Sequence, residues 1–274
     1  MAENSKINWT THTFNPWIGC TKVSPGCLHC YAETLMDTRY GRVKWGAGNP
    51  RSRTAPSNWK KVRSWNNRAG RDGVRPRVFC ASLADWLDDE VPLEWLADLL
   101  GLISQTTNLD WLMLTKRPEN WADRLSRVAM SGFPNELARC GAGAAQDWYG
   151  GEEPPPNVWL GFTAENSQWF DKRWAHVKNI PARVVFCSNE PSLGALTLPA
   201  DFLARGRSAW LINGGESGPG ARPMDEAHPA ATLAQCATAG VAFWMKQMGG
   251  VTNSRHELSD IPENLRVRQL PVAA

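Results

Sequence analysis

Residues 19–32, GCTKVSPGCLHCYA, constrain the chain more than any other stretch. They set Cys20, Cys27 and Cys30 in a C-x6-C-x2-C array, and Pro25 and Gly26 turn the backbone between the first and second thiols. Three thiolates on one short loop make a soft, anionic pocket that suits an iron–sulfur cluster or zinc, not a hard cation. A structural zinc site is normally closed by four protein ligands, whereas a reactive centre keeps one position open. Three irons of a [4Fe–4S] cluster held by three sulfurs would leave the fourth iron for a cofactor. His12 or His29 could instead supply a fourth ligand and close a Cys3His zinc knuckle, and a disulfide is the third reading.

With 274 residues, 42% of them hydrophobic, the chain can bury one large core or two small ones. No apolar run approaches the ~18 residues needed to span a bilayer, so a membrane is not among the expected partners. The N-terminus lacks the charged-then-apolar layout of a signal peptide. Together with an odd count of seven cysteines, this points to a reducing cytoplasm. Cys80, Cys140, Cys187 and Cys236 are scattered and read as buried small hydrophobes.

Charge is distributed unevenly. The net charge is +3, yet residues 39–77 hold twelve Lys or Arg and one acid, Asp72, a local balance of +11 that leaves the rest at −8. Such an asymmetry speaks of a partner. Trp45, Arg51, Arg53, Trp59, Lys60, Lys61, Arg63 and Trp65 interleave cations with aromatic rings. Cations track a phosphate backbone and exposed rings stack on bases, so this set is expected to contact nucleic acid. The plain alternative is a solvated surface loop whose tryptophans dock on the core. Repeated Gly and Pro in 39–77 predict a long excursion with one helical turn near 59–65.

From residue 77 onward the texture changes. Continuous apolar runs at 78–81, 111–114, 158–162, 184–187, 209–212 and 241–245 alternate with helix-like segments at 92–105, 119–130, 167–177 and 225–239. A further helix is expected at 31–40. Strands buried on both faces read as such runs, and intervening helices imply right-handed β-α-β crossovers. With a lead-in strand before the cysteine loop, the pattern predicts an α/β fold, a partial or full (β/α) barrel of parallel strands in one domain over 1–274. A doubly wound open sheet is the alternative. The Gly- and Pro-rich residues 134–156 read as a mobile insertion, and the polar tail 250–274 is expected to lie outside the barrel.

In a parallel barrel the site forms where the strands end. Those ends carry Ser82 and Asp85; Thr115, Lys116 and Arg117; Thr163, Glu165 and Asn166; Ser188, Asn189 and Glu190; Glu216 and Ser217 in GGESGPGARP; and Lys246 with Gln247. Strand ends are often polar because loops are wet, but this set would converge on one rim. Glu216, with Arg222 nearby among glycines, and Glu190 on the turn NEPSLG are the sharpest positions. No nucleotide-triphosphate loop is present. His176, His228 and His256 read as ordinary helix or tail residues.

Taken together, GCTKVSPGCLHCYAE, VFCASLADWLDDEVP, LMLTKRPEN, VWLGFTAEN, NEPSLG, INGGESGPGARPM and FWMKQMGG resemble the three-cysteine family of phages and mobile elements, itself related to radical S-adenosylmethionine enzymes. The resemblance runs from about Trp9 to Gly249 and implies a radical-SAM-type barrel with a [4Fe–4S] cluster on Cys20, Cys27 and Cys30. The usual array of those enzymes is C-x3-C-x2-C; here the first gap has six residues, and His29 holds the place of the usual aromatic.

The implied chemistry is reductive cleavage of S-adenosylmethionine to methionine and a 5′-deoxyadenosyl radical that abstracts hydrogen from a substrate. An electron donor is then required, and a partner protein is an open question. By the same resemblance Ser82, Asp85, Thr115, Thr163, Glu190, Glu216 and Ser217 are candidates to contact the cofactor. Lys116, Glu190, Glu216 and Lys246 are candidates for catalysis. The substrate expected is a base in DNA or a nucleotide in a host cell's cytoplasm. A DNA-lesion lyase resembling spore photoproduct lyase, or a zinc-stabilised nucleic-acid-binding protein without catalysis, are the other readings.

Overall fold

The computed structural model describes residues 2–151, 153–218, 220–250 and 257–272. His256 and part of the tail lie outside them. The chain divides into two compact units, Met1–Lys22 with Ala32–Trp159, and Val23–Tyr31 with Leu160–Ala274. The cysteine loop passes from the first to the second between Lys22 and Val23, so Cys20 belongs to one and Cys27 and Cys30 to the other.

Each expected apolar run is a strand. After β1 (His12–Phe14) and a small antiparallel pair, β2 (Trp17–Ile18) and β3 (Ser52–Arg53), come β4 (Arg77–Cys80), β5 (Asp110–Thr115), β6 (Val158–Thr163), β7 (Val184–Asn189), β8 (Ala209–Gly214) and β9 (Ala242–Gln247). The main sheet runs β1-β4-β5-β6-β7-β8-β9. Pairs β1–β4, β4–β5, β7–β8 and β8–β9 are parallel. The order never reverses, whereas a doubly wound sheet has a switch point. β6, β7 and β8 are buried at every position, which is why they read as unbroken apolar runs.

The first unit packs around aromatic rings. Phe14 meets Trp59 and Trp111 edge-on at 5.3 and 5.9 Å, and Trp148 stacks on Trp86 at 5.9 Å. The second has its own cluster, in which Phe162, Phe170, Trp174 and Phe202 lie 5.0–6.5 Å apart. Such pairs contribute about 0.5–1.5 kcal/mol each beyond their burial.

The helix expected at 31–40 forms as α1 (Tyr31–Glu33) continuing into a wider π-helical turn, Thr34–Arg39. α3 (Leu93–Ser104), α4 (Trp121–Met130), α6 (Ser167–Val177) and α8 (Ala227–Ala239) fall on the predicted segments. A short α7 (Ala200–Leu203) joins them.

Two expectations are corrected. The basic stretch is not a loop with one helical turn; it contains a 17-residue helix, α2 (Pro56–Asp72). Pro56 starts it, left-handed Gly73 ends it, and Trp59, Val62, Trp65 and Ala69 form its buried stripe. Residues 134–156 are not a structureless insertion either, because α5 (Glu136–Gly150) occupies most of them. Asn135 caps α5 by accepting from Ala138 N at 2.8 Å, and Gly151 closes it with φ 80°. Gly141 serves close packing, not turning: a Cβ there would lie 2.9 Å from Gly101 N and run into the Ala97 carbonyl of α3.

Candidate functional site

In the first unit the site begins at Gly19. Its φ of +114° and its bond to Leu83 O at 3.1 Å swing the chain so that Cys20 follows directly. The Cys20 sulfur lies 3.4 Å from Arg117 Nη1. Arg117 is itself fixed, donating to Asp85 Oδ2 at 3.2 Å and to Thr21 O at 2.6 Å. Asp85 is buried and fully used. Its Oδ1 accepts from Thr115 Oγ1 at 2.7 Å and Leu87 N at 3.0 Å, and its Oδ2 also accepts from Lys116 N at 2.8 Å. The strand-end residues Asp85 and Thr115 thus aim a guanidinium at a cysteine sulfur.

Electrostatics follow from burial. Desolvation pushes the Cys20 thiol up to about 12 against the pull of Arg117. For Arg117, desolvation opposes the charge, but Asp85 and the Cys20 sulfur outweigh it and hold the guanidinium protonated. A metal binding here would displace the thiol proton. Arg51, buried, organises the following turn: it donates to Asp88 Oδ2 at 2.8 Å, Thr21 Oγ1 at 2.9 Å, Asn49 O at 2.8 Å and Gly46 O at 3.0 Å. Ser82 pairs with Asn15, whose Nδ2 lies 3.1 Å from its hydroxyl.

In the second unit two carboxylates fasten the loop that carries Cys27 and Cys30. Glu165, after β6, accepts from Ser24 Oγ at 2.5 Å and from the buried Arg173 at 2.9 Å. Gly26 rests against it so closely that a Cβ would come within 2.8 Å of Glu165 Cγ. Glu216, after β8, accepts from His29 Nδ1 at 3.0 Å and from Arg222 through its backbone N, Nε and Nη2 at 2.9, 2.9 and 2.6 Å. Arg222 also donates to Pro25 O at 3.0 Å. Burial works against the Glu216 charge, but the Arg222 and His29 donors prevail and hold the carboxyl down to about 2.

Glu190 and Lys246 form an ion pair at 2.5 Å, with Ser188 Oγ 3.0 Å from Glu190 Oε2. Thr163 is buried at the end of β6, where its carbonyl accepts from Arg173 at 2.8 Å; Ser217 is exposed. The fastening roles of Ser24, Glu165, Arg173 and Arg222 were missed by sequence reasoning. The signal available was Gly26 in the loop, which marks a close approach without naming its partner.

No disulfide forms among the seven cysteines, and Cys20, Cys27 and Cys30 are all half-buried. Cys80, Cys187 and Cys236 are buried as expected, whereas Cys140 is exposed on α5, which corrects its reading as a core residue. Among the described residues, no group of three or more His, Cys, Asp or Glu side chains is arranged to hold a metal ion. The two histidines considered as fourth ligands each use Nδ1, which leaves Nε2 uncommitted by those bonds. His12 stacks on Trp65 at 4.4 Å and accepts from Asn4 N at 3.3 Å, while His29 is bound to Glu216. Cys20, Cys27 and Cys30 are free thiols, the donor type that a three-thiolate group takes.

The basic set is split by burial. Trp59 and Trp65 are buried, which corrects their reading as rings that stack on bases. Arg51 is buried on Asp88, Arg53 pairs with Asp98 at 2.6 Å, and Trp45 is half-buried with its N bonded to Asp37 at 2.7 Å. Lys60, Lys61 and Arg63 are exposed.

Among the described residues, no helix is long and apolar enough to cross a membrane. A family model described as a protein of unknown function (DUF5131) matches residues 4–268, and the chain therefore belongs to that family. No curated protein and no solved structure matches the chain.

Proposed function

We propose that this member of the DUF5131 family is a cytoplasmic radical S-adenosylmethionine enzyme. It would carry a [4Fe–4S] cluster on Cys20, Cys27 and Cys30 and act on a base in DNA or on a nucleotide. What supports this reading is the unreversed parallel strand order together with three free cysteines on the loop after β2, one of whose sulfurs accepts an N–H from Arg117. When bound, such a cluster supplies the electron that cleaves S-adenosylmethionine.

The protein's own residues then divide by role. Arg117 donates an N–H to the Cys20 sulfur, and donors of that kind tune thiolate-bound metals. Asp85 and Thr115 position Arg117, and the four bonds that Asp85 accepts leave it no lone pair for a cofactor. Glu165 and Glu216 fix the backbone around Cys27 and Cys30. Lys246 and Glu190 remain the pair suited to neutralise a carboxylate and to move a proton, and Ser82, Thr163 and Ser217 remain candidate cofactor contacts. The unreversed parallel strand order supports a barrel of the radical-SAM type.

Anaerobic reconstitution with iron and sulfide is the test. The reading expects about four irons per chain and, with a chemical reductant, 5′-deoxyadenosine from S-adenosylmethionine. The variant Cys20→Ala/Cys27→Ala/Cys30→Ala should lose both. One tightly held zinc, no colour and no 5′-deoxyadenosine would establish the zinc-protein alternative instead.

A further inference from the structure

α2 segregates its charge. Of the twelve cations in residues 39–77, Lys44, Arg51, Arg53, Arg68 and Arg75 are paired with Asp37, Asp88, Asp98, Glu3 and Asp110. Lys60, Lys61, Arg63 and Arg71 all lie exposed on α2, and none has a carboxylate at ion-pair distance among the described residues. Residues 60–71 cover about 16 Å of helix at 1.5 Å per residue. That is the axial rise of about five base-pair steps of a duplex, at about 3.4 Å each.

At the start of α2 lies a cavity of about 520 Å³, with Arg53, Lys60 and Arg63 on its wall and Pro56, Trp59 and Leu137 as its apolar side. Arg53 is rigid there: its guanidinium stacks over the Trp59 ring at 4.7 Å and donates to Asp98 Oδ2 at 2.6 Å. A fixed planar donor beside two exposed cations suits a phosphate, which takes N–H groups at several oxygens.

The rings on this helix are spent. Trp59 packs edge-on to Phe14 at 5.3 Å beneath Arg53, and Trp65 stacks on His12 at 4.4 Å. Single-stranded nucleic acid is held by exposed aromatic faces beside positive charge, and this helix offers only the charge. We infer that the exposed row of α2, with the cavity at its head, docks on the sugar–phosphate backbone of double-stranded DNA without reading its sequence. The inference deepens the proposed action on DNA by naming the form of the partner and the surface that holds it.

The test uses the full chain without reconstitution and a fluorescent 20-base-pair duplex, titrated between 50 and 200 mM salt. Duplexes of unrelated sequence should bind alike. Their affinity should fall with a log–log slope near −4, about −0.9 for each phosphate contact. Lys60→Gln/Lys61→Gln/Arg63→Gln should weaken binding about 10- to 100-fold and flatten the slope by about 2–3. Lys61→Glu alone, at an exposed position, should lower affinity several-fold with an unchanged circular dichroism spectrum. Lys172→Gln/Lys178→Gln, on α6 and just after it, should leave binding unchanged.

The inference fails if the triple variant keeps the wild-type affinity and slope, or if no duplex binding is seen at 50 mM salt. It fails equally if a single strand or duplex RNA of the same sequence binds more tightly. Because binding is read without the cluster, a chain that grips duplex DNA through α2 yet makes no 5′-deoxyadenosine overturns the catalytic proposal alone.

Discussion

Arg117 Nη1 lies 3.4 Å from the sulfur of Cys20, held there by Asp85 on one side and by the Thr21 carbonyl on the other. The triad forms entirely within the first unit, from the turn after β4, the turn after β5 and the first cysteine. Arg117→Ala would strand the buried Asp85 charge, a change that costs about 3–5 kcal/mol in comparable pairs. Arg117→Lys retains a charge but loses the planar fork that reaches both Asp85 and Thr21 O. Chemical denaturation should show a large loss for the alanine variant and a smaller one for lysine. After reconstitution, both should hold their iron at a lower reduction potential than wild type, measured by redox titration. Equal potentials would remove Arg117 from any role at the sulfur.

Gly26 gives the second prediction. Its backbone touches Glu165, which already serves Ser24 and Arg173. Gly26→Ala would force the carboxylate to shift, an overpacking that typically costs about 1–3 kcal/mol. Beyond the lower denaturation midpoint, the loop should loosen, so Cys27 should react faster with a thiol reagent. Gly150→Ala, where a Cβ meets nothing, should leave the Cys27 rate unchanged.

Glu216 sets a pH dependence. Its folded carboxyl is held down to about 2 from an ordinary value of 4.5, so its stabilisation is full above 4.5 and disappears as pH falls toward 2. Linkage puts that contribution on the order of 3 kcal/mol at neutral pH. Glu216→Gln should therefore be less stable at pH 7 and should lose less on acidification through this window. The comparison is a pair of denaturation series from pH 7 to pH 2. Parallel curves for the two proteins would show that the Arg222 and His29 contacts do not favour the charged form.

Six of the seven main strands were legible because burial on both faces leaves a run of apolar residues, whereas β1, His12–Phe14, was expected only as a lead-in to the cysteine loop. The helices at 92–105, 119–130, 167–177 and 225–239 were legible for similarly local reasons. Contacts between distant residues were not. Nothing in the letters links Ser24 to Glu165, 141 positions apart, or Cys20 to Arg117, 97 apart. Asp85 and Glu216 stood out as polar strand ends, yet the same pattern suits a residue that touches a ligand and one that braces a loop. α2 was misread although Trp59, Val62, Trp65 and Ala69 recur at helical spacing between Pro56 and Gly73. Its polar surface and flanking glycines obscured that stripe.

α5 was misread because glycine was taken as a breaker, and this yields the last prediction. Gly141 and Gly143 share one helix and one intrinsic cost, but only Gly141 is buried, where α5 crosses α3 at Gly101. A methyl group at 141 has no room beside the Ala97 carbonyl, and backbone cannot step aside as a flexible side chain can. Gly141→Ala should therefore destabilise by about 2–3 kcal/mol or more, the overpacking cost exceeding the gain in helix propensity. Gly143 faces open space, so Gly143→Ala should stabilise by about 0.5–1 kcal/mol through propensity alone. Thermal melts of the two variants should move in opposite directions. If both rise, α3 and α5 are not in contact through their glycines, and the close crossing that makes α5 part of the core is wrong.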